Sequence, residues 1–183
     1  MNKLPPFSQR YPFYFLCVVI LFLSSCSESP ENFFDITILN TNVINDFASP
    51  NLAHSIEAEA KEFPDIPSSK KKGDEAATMV NYKILYVEQS LDKVKKLSAS
   101  GDEEKELQEL STRLYELVIP VYKNEYMAFA KLCDAKGSQS SKEALIEEIN
   151  KKYGASFEQN FNLLNEKGKA FAAKHNIQVT WGK

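Results

Sequence analysis

Between Asp102 and Asp134 two apolar stripes run side by side on one helical repeat. Leu107, Leu110, Leu114, Leu117, Val121, Ala128 and Leu132 recur at steps of three, four or seven residues. Tyr115, Val118, Tyr122, Tyr126 and Phe129 follow beside them. Steps of three and four keep side chains on one face of a helix that turns every 3.6 residues. Two adjoining stripes make a face too wide for a single partner helix. The segment therefore needs neighbours on more than one side, which points to a helical bundle. Pro120 falls inside it, removing one amide donor and crowding the carbonyl of Glu116, so a kink is expected there rather than an end.

Two further segments carry the same period. Val80, Ile84, Val87, Leu91 and Val94 predict a helix over 74–98, and Ser100 with Glu103 forms a capping box across Gly101 for the next. Ile146, Ile149, Tyr153, Phe157, Phe161, Leu164 and Phe171 predict a helix from the SSKE at Ser140, where Ser140 and Glu143 make a second capping box, to about His175. Gly154 is a candidate break, with Ser156 and Gln159 capping a restart. Over 33–63 the pattern is weaker. Ile36, Leu39, Val43 and Phe47, then Leu52, Ile56, Ala60 and Phe63, suit helices broken near Pro50. FFDITI also alternates, however, and Asn40, Asn42 and Asn45 are poor helix formers. Two prolines, paired serines and Gly73 make 64–73 a loop. The tail IQVTWGK is too short to assign, and no stretch reads as a strand. The expected fold is all-α: an antiparallel four-helix bundle over 32–183, or three helices plus an irregular N-terminal segment.

The first residues follow another logic. Residues 11–27 carry no charge and follow Lys3 and Arg10 in a Pro-containing head, the arrangement of an export signal with an apolar stretch from Phe13 to Leu23. That stretch is shorter than the roughly 20 residues that span a hydrocarbon core. Leu23-Ser24-Ser25-Cys26 then resembles the lipobox of bacterial lipoproteins, an aliphatic residue and two small ones before a modified cysteine. The resemblance implies removal of 1–25 as a signal peptide, acylation of Cys26, a tether over 26–31, and attachment to the membrane through that lipid. Two or three acyl chains anchor firmly, each buried CH2 contributing about 0.8 kcal/mol. Ser27 stands where an Asp retains some lipoproteins in the inner membrane, which favours the outer membrane. Lipobox, tether and helices together resemble small uncharacterised helical-bundle lipoproteins of bacterial surfaces. That resemblance implies no catalytic residue and no cofactor.

Composition narrows the remaining classes. Losing Lys3 and Arg10 with the signal leaves 20 basic residues against 25 acidic ones. An acidic surface of interspersed sign is unsuited to nucleic acid, and Lys70-Lys71-Lys72 offers too few phosphate contacts. Cys17 lies in the signal and Cys26 is the lipid site, so Cys133 is left as a lone buried thiol without a disulfide partner. His54 and His175 each lack the Glu three residues earlier that a di-iron bundle uses, and no C-x-x-C occurs, so no metal site is expected. GSQSS at Gly137 lacks the second glycine of a nucleophile elbow, and the acidic pairs suit helix starts, so no catalytic residue is expected. The tyrosines are expected in the core with their hydroxyls reaching the rim. The expected role is non-catalytic: a binding, scaffolding or surface-interaction module. The alternatives are a bundle holding a small apolar ligand or cofactor in its aromatic core, and an enzyme with an unrecognised site.

Overall fold

A computed structural model describes residues 28–181; the segment 1–25, Cys26 and Ser27 lie outside the described residues. The described chain is an all-α helical bundle without strands, whose seven α-helices make five continuous helices because two junctions are π-helical turns. α1 (Pro30–Thr37) leads into a 3-10 helix (Leu39–Ile44), and α2 (Pro50–Glu59) follows a turn. α3 (Glu75–Lys96) is the first long rod. α4 (Asp102–Val121) continues through a π-helical turn (Tyr122–Tyr126) into α5 (Met127–Asp134). α6 (Gln139–Ile149) likewise continues through a second π-helical turn (Asn150–Gly154) into α7 (Ala155–Lys174). Three long rods with a broken N-terminal segment is the second of the two expected bundle forms.

The rods run antiparallel, as their ion pairs record. Lys95 meets Glu116 at 2.7 Å and Lys123 meets Glu88 at 2.5 Å, so numbering falls on one rod as it rises on the other. Lys174–Glu103 at 2.5 Å and Lys167–Glu106 at 2.7 Å do the same for α7 against α4. These pairs are exposed and mark register more than they stabilise. Stability comes from the double stripe: Leu107, Leu114, Tyr115, Val118 and Tyr122 are fully buried. Each such side chain contributes about 1.5–3 kcal/mol on leaving water. Phe47 ties the N-terminal segment to this core, its ring 5.6 Å from Tyr122, 5.9 Å from Tyr126 and 4.9 Å from Phe157. Gly168 lets α1 and α7 approach, since a Cβ there would sit 2.9 Å from Ile38.

Several local expectations are corrected. The first helix opens at Pro30 with Ser29 as its cap, two residues before the domain start expected at residue 32. Ser100 bonds Glu104 rather than Glu103, through both its hydroxyl and its amide, at 2.7 and 2.6 Å. Burial alone would raise the Glu104 carboxyl, but those Ser100 bonds hold it below its ordinary value. The cap of α6 is Ser138, whose hydroxyl accepts from the Ser141 amide, and not Ser140. No cap restarts the helix at Ser156, because the chain passes Gly154 in a π-helical turn. Pro120, as expected, does not end its rod, and the turn after it takes the π-helical form. In the N-terminal segment Leu39 is 36% exposed and Phe63 48% exposed, so neither belongs to the buried face.

Candidate functional site

Cys26, the one site residue expected from sequence, lies outside the described residues. Among the described residues, two concave regions are large enough for a small molecule. The first lies between α2 and the α5–α6 corner, where two adjoining grooves of about 550 and 390 Å³ share His54, Glu57 and Lys142. Lys142 pairs with Glu57 and is 14% exposed. Cys133 lines the same region, and burial pushes its thiol up to about 11. A thiol held protonated is no nucleophile at neutral pH, so this constellation is a packed thiol beside a neutralised ion pair.

The second is a cleft of about 510 Å³ between the 3-10 helix, α7 and the C-terminal tail. A 3-10 helix repeats every three residues, so side chains at i and i+3 eclipse. Ile38, Thr41 and Ile44 form one buried edge. Leu39, Asn42 and Asn45 form the next edge and line the cleft. Opposite them α7 supplies Phe161, Asn162, Asn165, Glu166 and Lys169, spaced at helical period on one face. The tail closes the third side with Trp181, whose ring lies 5.9 Å from Phe34 at 89°. Lys169 Nζ stands 5.4 Å from the centre of that indole. Among the described residues, Asn42, Asn45, Asn162 and Asn165 have no side-chain hydrogen-bond partner, and Glu166 has no ion-pair partner.

The chain matches no protein-family model, and no curated protein or solved structure is significantly similar to it. Site assignment therefore rests on chemistry alone. Among the described residues no group of three or more His, Cys, Asp or Glu side chains gathers closely enough to hold a metal ion. Of the tyrosines expected with hydroxyls at the rim, Tyr153 is half-buried and donates to Glu125 Oε1 at 2.6 Å, while the other three are instead enclosed. Tyr115, Tyr122 and Tyr126 are 0%, 0% and 1% exposed. Burial raises all three phenols, that of Tyr126 to about 12, although the Ala48 amide donating to it tempers the rise. Ser90 also tempers Tyr115, yet its hydroxyl already donates to the Tyr86 carbonyl and leaves Tyr115 Oη outside hydrogen-bonding geometry. Tyr122 and Tyr126 pack on each other with ring centres 5.3 Å apart, and none of the three lines the clefts just described. Sequence reasoning missed the amide-lined cleft. The signal available was the run of asparagines at 40, 42 and 45, which helix propensity alone does not explain.

Proposed function

We propose that this is a lipoprotein, held at a bacterial envelope membrane by acyl chains on Cys26, whose helical domain binds and does not catalyse. The reading is carried by Leu23-Ser24-Ser25-Cys26 at the end of an uncharged run. The position of the domain supports it. α1 begins at Pro30, so only Ser27, Glu28 and Ser29 separate the lipid site from folded structure. At about 3.3–3.6 Å per residue, such a spacer keeps the bundle against the bilayer surface. Among the described residues no helix is long and apolar enough to cross a membrane. Ser27 in place of Asp favours delivery to the outer membrane.

An acid-base catalyst works best with a group poised near the working pH. Burial pushes Tyr115, Tyr122, Tyr126 and Cys133 away from that range, so these four serve as core side chains and not as acid-base groups.

Expression of the full chain in a bacterium fed labelled palmitate tests the anchor. The parent protein is expected to take up label, to gain the mass of its acyl chains after losing residues 1–25, and to enter a detergent phase. Cys26→Ser is expected to lose label and to remain an unprocessed precursor. Equal mass shift and partitioning in both forms would overturn the reading.

A further inference from the structure

We propose that the cleft between the 3-10 helix, α7 and Trp181 is a binding site for a neutral saccharide. The inference deepens the reading of the domain as a binding module, and its test is independent of the anchor. Four carboxamides converge on the cleft from two elements: Asn42 and Asn45 from the 3-10 edge, Asn162 and Asn165 from α7. Each presents an acceptor and two donors side by side, the arrangement that pairs with adjacent hydroxyls, which both donate and accept.

The lining excludes other ligand classes one at a time. An apolar ligand would strip water from the amides it covers without replacing their hydrogen bonds. A charged ligand finds no net charge to select it, since Glu166 and Lys169 oppose each other at the same wall. What fits is an uncharged molecule rich in hydroxyls with at least one apolar face. Phe161 and Trp181 supply aromatic surface for that face, as the C–H side of a pyranose ring requires. The volume, about 510 Å³, lies in the range of small-molecule sites of about 300–1,000 Å³.

The local sequence bears the mark of this role. Asparagine is a poor helix former, yet Asn42 lies within the 3-10 helix, and Asn45 follows directly as its C-cap. The half-buried Asn165 sits among them without a partner in the fold. Thr41, on the neighbouring edge, does find one, its hydroxyl donating to the Ile38 carbonyl at 2.6 Å. The fold thus satisfies the polar group facing inward and leaves open those facing the cleft.

Trp181 is the single tryptophan of the chain, so its fluorescence reports on this cleft directly. The full chain, in a zwitterionic detergent free of sugar, would be titrated separately with chitotetraose, cellotetraose, maltotetraose and mannotetraose. Tetraglycine and inorganic phosphate serve as comparators. A saturable emission change is expected for at least one oligosaccharide, half-complete at about 1 mM or below. Asn42→Leu/Asn165→Leu is expected to weaken that binding about tenfold or more, and Asn45→Leu/Asn162→Leu provides an independent pair at exposed or rim positions. His54→Leu, in the other groove, should leave it unchanged. The proposal is overturned if no oligosaccharide saturates, if only tetraglycine or phosphate does, or if both asparagine pairs bind like the parent. Loss of lipid on Cys26 would not alter the fluorescence result, so the two readings fail separately.

Discussion

Tyr122 and Tyr126 stand on one π-helical turn, yet their hydroxyls are used differently. Tyr126 Oη accepts from the Ala48 amide at 3.0 Å, satisfying a donor at a position held in the left-handed region with φ of 52°. Tyr122 Oη is buried without a partner, above the Asp46–Lys83 pair whose Nζ lies 5.7 Å from its ring centre. Removing a satisfied buried hydroxyl orphans its partner, whereas removing an orphaned one restores nothing to lose. Tyr126→Phe is therefore expected to cost about 1–3 kcal/mol, while Tyr122→Phe is expected to be neutral or stabilising. Urea unfolding of the two variants checks this, and a larger loss for Tyr122→Phe would contradict it. The burial of these rings was legible from their spacing. The fate of their hydroxyls was not, because it depends on Ala48 and Asp46, which are distant in sequence and reach the site only through the fold.

Among the elements, α3 has an unusual beginning. Its own first residue outside the helix, Asp74, makes no side-chain cap bond. Asp134, at the end of α5, instead accepts from the Ala76 and Ala77 amides, each at 3.0 Å. A carboxylate at a helix N-terminus both satisfies open amides and opposes the positive end of the dipole. Asp134→Ala is expected to cost about 1–2 kcal/mol and to lower Tm by about 2–8 °C. Thermal melting by circular dichroism checks it, and Asp74→Ala, which removes no cap bond, should change Tm by less. The long rods could be drawn from sequence because their stripes repeat at the helical period. The segment 39–45 could not, since its buried edge of Ile38, Thr41 and Ile44 repeats every three residues, a period between those of helix and strand. Local capping boxes misplaced two helix starts for a related reason: Ser138 and Ser140 are equally good candidates by type, and only backbone geometry chooses between them.

For the molecule as a whole, pH acts mainly through the core. The buried phenols and the Cys133 thiol have folded-state values above those of the open chain: about 12 against 10.0 for Tyr126, and about 11 against 9.0 for Cys133. Below the lower value of each pair both states hold the proton and stability is unaffected. Between the two values the open chain has lost it and the folded chain has not, so stability falls as pH rises. The loss is on the order of 2 kcal/mol for Tyr126 alone. Melts between pH 8 and 12 are expected to show Tm declining from about pH 9 upward, with tyrosinate absorbance beyond the share of the less buried Tyr82, Tyr86 and Tyr153 appearing together with loss of helix. Ionisation of Tyr115, Tyr122 and Tyr126 as well, with helix fully retained, would contradict the enclosed hydroxyls.

The Asp134 contact also orders events in time. Its carboxylate lies 58 residues beyond the Ala76 amide it receives. The two cap bonds at the first turn of α3 therefore cannot form until the chain has run out along α3, returned through the whole 102–134 rod, and delivered the last residue of α5 to the starting point. Closure of a loop that long is an entropic cost met late. The bundle is thus locked by a clasp that shuts only once two of its three rods are in place.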